Sequence, residues 1–388
     1  MHERILILSS KFGEGHYQAG QAVASVLESR LSSKVVVKHL DFGSFFFRRT
    51  DYLMRKAYFN MVTKTPELWK FIYEKTAEIT AESCRKIVNG LGSKNLLSFI
   101  REFHPDVIVN THFISAGLLA EYKKKGLINT PLVTVVTDYL VHGVWIHTGV
   151  DLYLVGCKAA ISTLIDRGIP PEKIILTGIP VRPCFNVPLS QNDARKSLQL
   201  EQDKKTVLIM GGFGGISGKN PDIIDFLEDM SGNHSVQFLV VCGNDEDLYH
   251  SLLLKTGKIG VKANLYRYRE DIQELMAAAD ILITKGGALT ISEALTLGLP
   301  LLIYKPIPGH ENGNALFIEQ TGAGIRAHTP QELQSLAKEL LSNPIRLQEM
   351  RLAAKRAIPE NTALVTAKSI LGLANNGKPK EYENQAII

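Results

Sequence analysis

The run Lys285-Gly286-Gly287-Ala288-Leu289-Thr290-Ile291-Ser292-Glu293 joins the end of an apolar stretch, Asp280 to Thr284, to a helical spacing that extends from Thr290 to Leu297. The apolar stretch reads as a buried parallel strand, and the paired glycines let the backbone approach a ligand closely. Unpaired N–H groups at the helix start, at the positive end of its dipole, suit phosphate oxygens; Glu293, about one turn in, suits ribose hydroxyls. The alternative is a tight strand-to-helix turn with no ligand, because an isolated glycine motif is a weak signal. A second segment shifts the balance. After another apolar run, Leu299 to Tyr304, the chain supplies Pro308, Gly309, His310, Glu311 and Asn314 where a strand feeds its next helix. Two adjacent strand ends with polar, glycine-bearing loops form a crevice at the carboxyl edge of an open sheet, where α/β folds bind ligands.

The first half offers acid–base chemistry. Ser9-Ser-Lys-Phe-Gly13-Glu-Gly15-His16 leaves the first apolar run, and helical spacing follows from Tyr17 to Leu27. Gly13 and Gly15 fit a dinucleotide fingerprint but its third glycine is absent, which weakens a dehydrogenase reading. His16 sits at a helix start, and an imidazole ordinarily titrates near neutrality, so it suits a general base; a surface histidine capping a helix is the alternative. Thr137-Asp138-Tyr-Leu-Val-His142-Gly-Val-Trp145-Ile-His147 leaves another strand end with an acid, two imidazoles and an indole. Asp138 suits the role of orienting or acidifying a partner. Trp145 suits stacking on a sugar or sitting on a bilayer, and both residues are equally compatible with structural roles. Met210-Gly211-Gly212-Phe213-Gly214 is a further phosphate-compatible loop, and Asn244 ends the next strand. Asp245-Glu246-Asp247 matches a metal-binding Asp-x-Asp pattern, but three acids on a polar loop are most often solvated, so no metal is expected.

These loops need a scaffold. Short β-rich runs at Arg4–Ser9, Val35–Leu40, Asp106–Asn110, Leu132–Thr137, Leu152–Val155 and Ile174–Leu176 alternate with helical patterns. The pattern restarts at Thr206–Met210, Val236–Val241, Ala263–Tyr266, Asp280–Thr284 and Leu299–Tyr304. Such punctuation predicts α/β architecture, two Rossmann-like doubly wound domains facing a central cleft. The expected division is 1–180 and 181–360, then a helix over 361–374 that packs back across the domains and a disordered tail over 375–388. The stretch from Ser190 to Lys205 reads as a linker with a short helix.

Composition sets limits. The chain is 45% hydrophobic and 21% charged, with four scattered cysteines and no Cys-x-x-Cys pair, so neither a disulfide framework nor a zinc site is expected. No apolar run reaches the roughly 18 residues of a membrane span, and the opening is too short in apolar core for a signal peptide, which predicts a cytoplasmic protein. The net charge of +5 is concentrated: between Ser44 and Lys75, seven basic residues face three acidic ones among nine aromatic rings. Phe46, Arg48, Arg49, Arg55, Lys56 and Trp69 lie there and suit docking on anionic membrane lipids. Two amphipathic helices with their rings in the core are the alternative. No nucleic-acid motif accompanies the charge, so no nucleic acid is expected.

Gly13-x-Gly15-His16, Pro105-Asp-x-Ile-x-Asn-Thr111, Thr137-Asp138-x-x-x-His142-x-x-Trp145, Gly178-Ile-Pro-Val-Arg182-Pro, Met210-Gly-Gly, Thr284-Lys285-Gly286-Gly287-x-x-Thr290-x-x-Glu293 and Pro308-Gly-x-Glu311-x-x-Asn314 occur in one order along the chain. In that order they resemble lipid glycosyltransferases of family 28, most nearly the processive diacylglycerol β-glucosyltransferases and next the monogalactosyldiacylglycerol synthases. The resemblance implies a GT-B fold and an inverting transfer of a hexose, glucose first, from a UDP-sugar to diacylglycerol or glycosyl-diacylglycerol, with no required cofactor or metal. It implies His16 as base, aided by Asp138. It implies UDP-sugar contacts from Gly15, Arg182, Gly212, Gly214, Asn244, Lys285, Gly286, Gly287, Thr290, Glu293, His310, Glu311 and Asn314. Lipid would enter near Phe46, Arg48, Arg49, Arg55, Lys56, Trp69 and Trp145, with the enzyme peripheral on the inner face of the cell membrane. The family carries Gln where this chain has His310, a departure that bears on the donor sugar. The alternatives within the fold are galactosyl transfer, N-acetylglucosaminyl transfer to a polyprenyl-linked peptidoglycan intermediate, and a hydrolysing nucleotide-sugar epimerase. A UDP-sugar sensor without turnover is the alternative of another class.

Overall fold

The computed structural model describes residues 3–11, 14–30, 35–43, 57, 60–61, 65–77, 93–211, 221–230, 232, 234–259 and 263–376. The described residues divide into two compact units, one within 1–58, 72–183 and 359–388, the other within 59–71 and 184–358. The second unit therefore takes residues 59–71 from the middle of the first, which the linear division at 180/181 did not anticipate.

In the first unit six strands, β1 (Glu3–Ser9), β2 (Val35–Asp41), β3 (Val107–Asn110), β4 (Leu132–Val135), β5 (Leu152–Val155) and β6 (Ile174–Leu176), form a wholly parallel sheet in the order β2-β1-β3-β4-β5-β6. Every residue of β3, β4 and β5 is buried. Helices cover both faces, so these strands read as continuous apolar runs rather than alternating ones. The two faces still separate by the strand period. Ile5 and Ile7 pack with Ala22, Val23 and Val26 of the helix Glu14–Arg30, whereas Leu6 and Leu8 pack with Leu96, Ile100 and Leu119 on the other side.

The helix Thr362–Asn376 joins the first face. Ala363, Ala367, Ile370 and Leu373 lie at helical spacing in that core, and Thr362 Oγ1 accepts from the backbone N of Val181 at 3.1 Å. This helix extends through residues 375 and 376, which the sequence assigned to a disordered tail; the rest of that tail lies outside the described residues.

The second unit repeats the architecture. Its strands β7 (Lys205–Met210), β8 (Val236–Gly243), β9 (Ala263–Arg267), β10 (Ile281–Thr284), β11 (Leu301–Tyr304) and β12 (Gly324–Ala327) form a parallel sheet ordered β12-β11-β10-β7-β8-β9. The last strand was not expected. Ser190 caps the short helix Gln191–Ser197 in the anticipated connection by accepting from Asp193 N.

Each order reverses once. In the first sheet the chain moves outward from β1 to β2 and then returns to β3; in the second it moves from β7 through β9 and returns to β10. The carboxyl ends of β1 and β3, and of β7 and β10, are therefore the switch points at which a doubly wound sheet opens a crevice.

Candidate active site

At the switch point of the first unit, β1 ends in the buried Ser9 and the helix Glu14–Arg30 carries Gly15 and His16 in its first turn. β3 ends in Asn110, followed by buried Thr111 and His112. Thr111 Oγ1 lies 2.8 Å from the carbonyl oxygen of His16, to which it donates, and 2.8 Å from Ser9 Oγ. Ser9 Oγ in turn stands 2.8 Å from His39 Nε2, and burial pushes the His39 pKa down to about 4, so that ring is neutral near pH 7. This hydroxyl and imidazole chain fixes the backbone that carries His16.

The His16 ring itself meets Thr137, whose Oγ1 lies 2.6 Å from Nδ1. Thr137 directly precedes Asp138, the residue that the sequence assigned to orienting the imidazole. Strand β4 stops at Val135, so Thr137 sits past the strand end, where the chain turns and its hydroxyl meets the helix start. Asp138 is half-buried.

Two aromatic groups wall the ring. His112 stands edge-on at 4.7 Å between centroids, and Trp145 lies at 6.1 Å, itself edge-on to Phe113 at 6.0 Å. His112 is an N-cap: its Nδ1 accepts from Ile114 N at the head of the helix Phe113–Lys124. Burial, and secondarily the neighbouring His16, hold its pKa well below the ordinary value, so it stays neutral. Trp145 is only 2% exposed, which rules out the bilayer contact considered for it; its indole belongs to the wall beside His16. His142 caps the turn Gly143–Trp145 through Nδ1 and bonds the carbonyl of Tyr73 through Nε2, a structural use. Arg182 falls in this first unit, half-buried.

The switch point of the second unit is built on glycine. Gly286, just past β10, has φ +101°, a conformation that a side chain would strain, and Gly211, just past β7, has φ +94°, where a Cβ would also lie 3.1 Å from Thr284 Oγ1. The helix Ala288–Leu297 starts from Gly287 and the helix His310–Thr321 from Gly309, and neither first turn receives a side-chain cap. The start of a helix, at the positive end of its dipole, suits an anion.

Glu311 and Asn314, expected to touch the ligand, both bond the loops. Glu311 is 2% exposed; its Oε2 accepts from Ile307 N at 2.7 Å and its Oε1 pairs with Lys285 Nζ at 3.0 Å. Asn314, fully buried, donates from Nδ2 to the carbonyl of Gly286 at 3.2 Å. A buried carboxylate demands such partners. These residues therefore position Lys285 and the glycine turn. Glu311→Gln is expected to raise the UDP dissociation constant about tenfold, a loss of about 1.4 kcal/mol, with a smaller change in melting temperature. Calorimetric titration with UDP checks it, and unchanged affinity would contradict the positioning role.

Thr290 is half-buried on the first turn of its helix and Glu293 is 6% exposed one turn further; His310 opens its helix, half-buried. Trp69, on the helix Pro66–Ala77, donates from Nε1 to the carbonyl of Pro308 at 3.0 Å, so its indole supports the loop before His310. Asn244 is exposed beyond β8. Of the acids beside it, Asp245 accepts from Leu248 N at the head of the helix Glu246–Ile259, and Glu246 pairs with Arg267. Gly212, Gly214, Phe46, Arg48, Arg49, Arg55 and Lys56 lie outside the described residues. Sequence reasoning missed Thr137 and His112 as neighbours of His16; the only signal was their place just beyond two adjacent strand ends.

Comparison with known proteins bears on what such loops do. Residues 16–181 match the model of the monogalactosyldiacylglycerol (MGDG) synthase family, and residues 206–364 that of the glycosyltransferase family 28 C-terminal domain. A processive diacylglycerol beta-glucosyltransferase of Bacillus cereus (strain G9842) is 32% identical over 355 residues, covering 91% of this chain and 89% of that protein. The same-named protein of Bacillus mycoides (strain KBAB4) is 31% identical over 352 residues with the same coverage. Among solved structures, Acinetobacter baumannii MurG superposes with a TM-score of 0.63 at 14% identity, covering 96% of this chain and 99% of that one. The S. aureus MnaA–UDP co-structure gives 0.61 at 15% identity and 96% of each chain. At these identities the two structures speak for the fold alone.

Proposed function

The chain belongs to glycosyltransferase family 28, and from that premise we propose that it transfers glucose from UDP-glucose to the primary hydroxyl of diacylglycerol, building membrane glycolipids. Its two units are the Rossmann-like domains of a GT-B glycosyltransferase. The observation that carries the activity is the similarity to processive diacylglycerol beta-glucosyltransferases along about nine-tenths of both chains.

In this reading the diphosphate of UDP lies against the uncapped helix starts at Gly287 and Gly309, with Lys285 adding a positive charge and Thr290 and Glu293 serving the nucleoside. His16 Nε2 takes the proton of the acceptor hydroxyl while that oxygen bonds C1 of glucose. The bond from C1 to the phosphate oxygen breaks with its electron pair on UDP, and displacement from the opposite side inverts the anomeric centre. Backbone amides and Lys285 meet the charge growing on the leaving group, the service a divalent cation gives elsewhere. A second round with glucosyl-diacylglycerol as acceptor yields longer products.

An acceptor dissolved in lipid requires the enzyme at the bilayer surface. No helix among the described residues is long and apolar enough to cross a membrane. The helix Pro66–Ala77 instead exposes Leu68 (51%) and Phe71 (57%) among Glu67, Lys70, Glu74 and Lys75, all exposed. Exposed apolar side chains among charged ones suit the headgroup level of a bilayer. We infer that the enzyme works on the inner face of the cell membrane; the exposed Leu68 and Phe71 support peripheral attachment.

One assay tests the reading. Diacylglycerol in vesicles is offered with UDP-glucose, UDP-galactose or UDP-N-acetylglucosamine, and the lipid products are separated by thin-layer chromatography. Glucolipid formation that rises with the anionic-lipid content and survives EDTA is expected. Galactolipid as the sole product would move the chain to the synthase activity named by its N-terminal family match. No lipid product from any donor would refute transfer to diacylglycerol.

A further inference from the structure

We propose a second ligand site in the second unit, on the sheet edge opposite the diphosphate loops: a cavity that takes a short alkyl or acyl chain ending in a phosphate or carboxylate. The site is independent of the transfer reaction proposed above.

A cavity of about 260 Å³ lies where β10 and β11 begin. Ala279, just before β10, Leu299, just before β11, and Leu297 with Gly298, at the end of the helix Ala288–Leu297, form part of its wall. The strands are parallel, so their amino ends share one edge of the sheet and their carboxyl ends the other. Lys285 and Gly287 stand at the opposite ends of this same strand and helix. A ligand here therefore does not overlap one held by the glycine turn.

The lining divides by chemistry. Buried Met276 and Leu299 and exposed Leu189 and Leu352 make an apolar wall that runs from the core to the surface. Arg351 and Lys355, four positions apart on the helix Pro344–Ala357, share one face of it and also line the cavity. Arg351 shares the carboxylate of Asp280 with Arg195 and Lys205, three cations on one anion. Lys355 enters no ion pair among the described residues, and its stem runs along Gly298, where a Cβ would come within 2.9 Å of Lys355 Cε. The cavity thus carries surplus positive charge beside an apolar wall. A guanidinium next to an ammonium suits a phosphate or carboxylate, and the wall suits a chain. The volume falls just below the ~300–1,000 Å³ of ordinary small-molecule pockets, which admits a short chain rather than a two-chain lipid. A lysine in the last turn of a helix also answers the helix dipole, but that role calls for no apolar cavity beside it.

The full-length protein is titrated calorimetrically with octyl phosphate, octanoate, octanol and inorganic phosphate, with and without saturating UDP. At least one octyl anion is expected to bind roughly a hundredfold more tightly than inorganic phosphate, since each buried methylene contributes about fourfold, and more tightly than octanol. Saturating UDP leaves that affinity unchanged. The tighter of the two anions names the headgroup. Lys355→Glu, which removes one charge and adds its opposite, lowers the affinity roughly tenfold, about 1.4 kcal/mol, and leaves UDP affinity and the transfer rate as they were. Lys355→Gln gives a smaller loss in the same direction. Failure of both octyl anions to bind, octanol binding as tightly as they do, equal affinity in Lys355→Glu, or displacement by UDP overturns the site. A chain that makes no glycolipid still binds an octyl anion here, so the failure of either reading leaves the other standing.

Discussion

His16→Ala is expected to slow glycolipid formation by roughly a thousandfold, within the ~10²–10⁴ range for loss of a general base, while UDP affinity stays within about twofold. The structure separates those two quantities. The groups assigned to the diphosphate, from Lys285 to Glu293 with the loop at Gly309, lie in the second unit, and His16 lies in the first. The fold of the variant is protected as well. Thr111 Oγ1 bonds the backbone carbonyl of His16, which alanine keeps, and alanine is a good residue for the first turn of a helix. What disappears is the ring between Thr137, His112 and Trp145. Rates measured from radiolabelled UDP-glucose, beside calorimetric UDP binding, decide the matter. A variant that binds UDP and synthesises lipid at a tenth of the normal rate or better would mean that the acceptor proton leaves by another route.

The amino-acid sequence announces the scaffold because parallel strands covered on both faces must be almost wholly apolar. Val107–Asn110, Leu152–Val155 and Ile281–Thr284 stand out against their turn-rich flanks for that reason. Gly324–Ala327 does not. It closes the edge of its sheet with two half-buried residues, and one of them, Arg326, bonds Asn312 Oδ1, so nothing in four residues marks a strand. The site is legible in the same uneven way. His16 is betrayed by residue type and by its place after the first strand. Thr137 is hidden, because a β-branched residue at the end of an apolar run looks like more strand, and the ring it meets is 121 positions away. Glu311 and Asn314 are visible as polar groups on a ligand-binding edge, but the direction of a side chain is a tertiary fact, and both turn back on their own loops.

Asp280→Ala is expected to destabilise the second unit by about 3–5 kcal/mol, the usual result of removing one partner of a buried ion pair. Asp280 reads in the sequence as the edge of an apolar run. In the structure it is 3% exposed and collects distant partners: Arg195 Nη2 at 2.7 Å, Thr206 N at 2.8 Å and Arg351 Nη2 at 3.2 Å, which lie 85, 74 and 71 positions away. Arg195 is 6% exposed, and its other donors reach only the neutral carbonyls of Ala278 and Gln202. Without the carboxylate its charge has no counterion and little water. Arg351 is about one-third exposed and loses far less. Asp280→Asn should cost less than alanine, because an amide oxygen still accepts one of these bonds. At about 2–4 °C per kcal/mol for a unit of this size, the alanine variant should melt roughly ten degrees lower; a shift of a degree or two would show that Arg195 finds water. UDP affinity at a temperature where both proteins are folded should hardly change. Asp280 precedes strand β10 and the Lys285 glycine turn follows it, so the whole length of Ile281–Thr284 stands between the charge cluster that holds the sheet together and the loop that meets the diphosphate. Stability and chemistry are thereby assigned to opposite ends of one buried strand, and a substitution at one end tests the rigidity of the strand as much as the cluster itself.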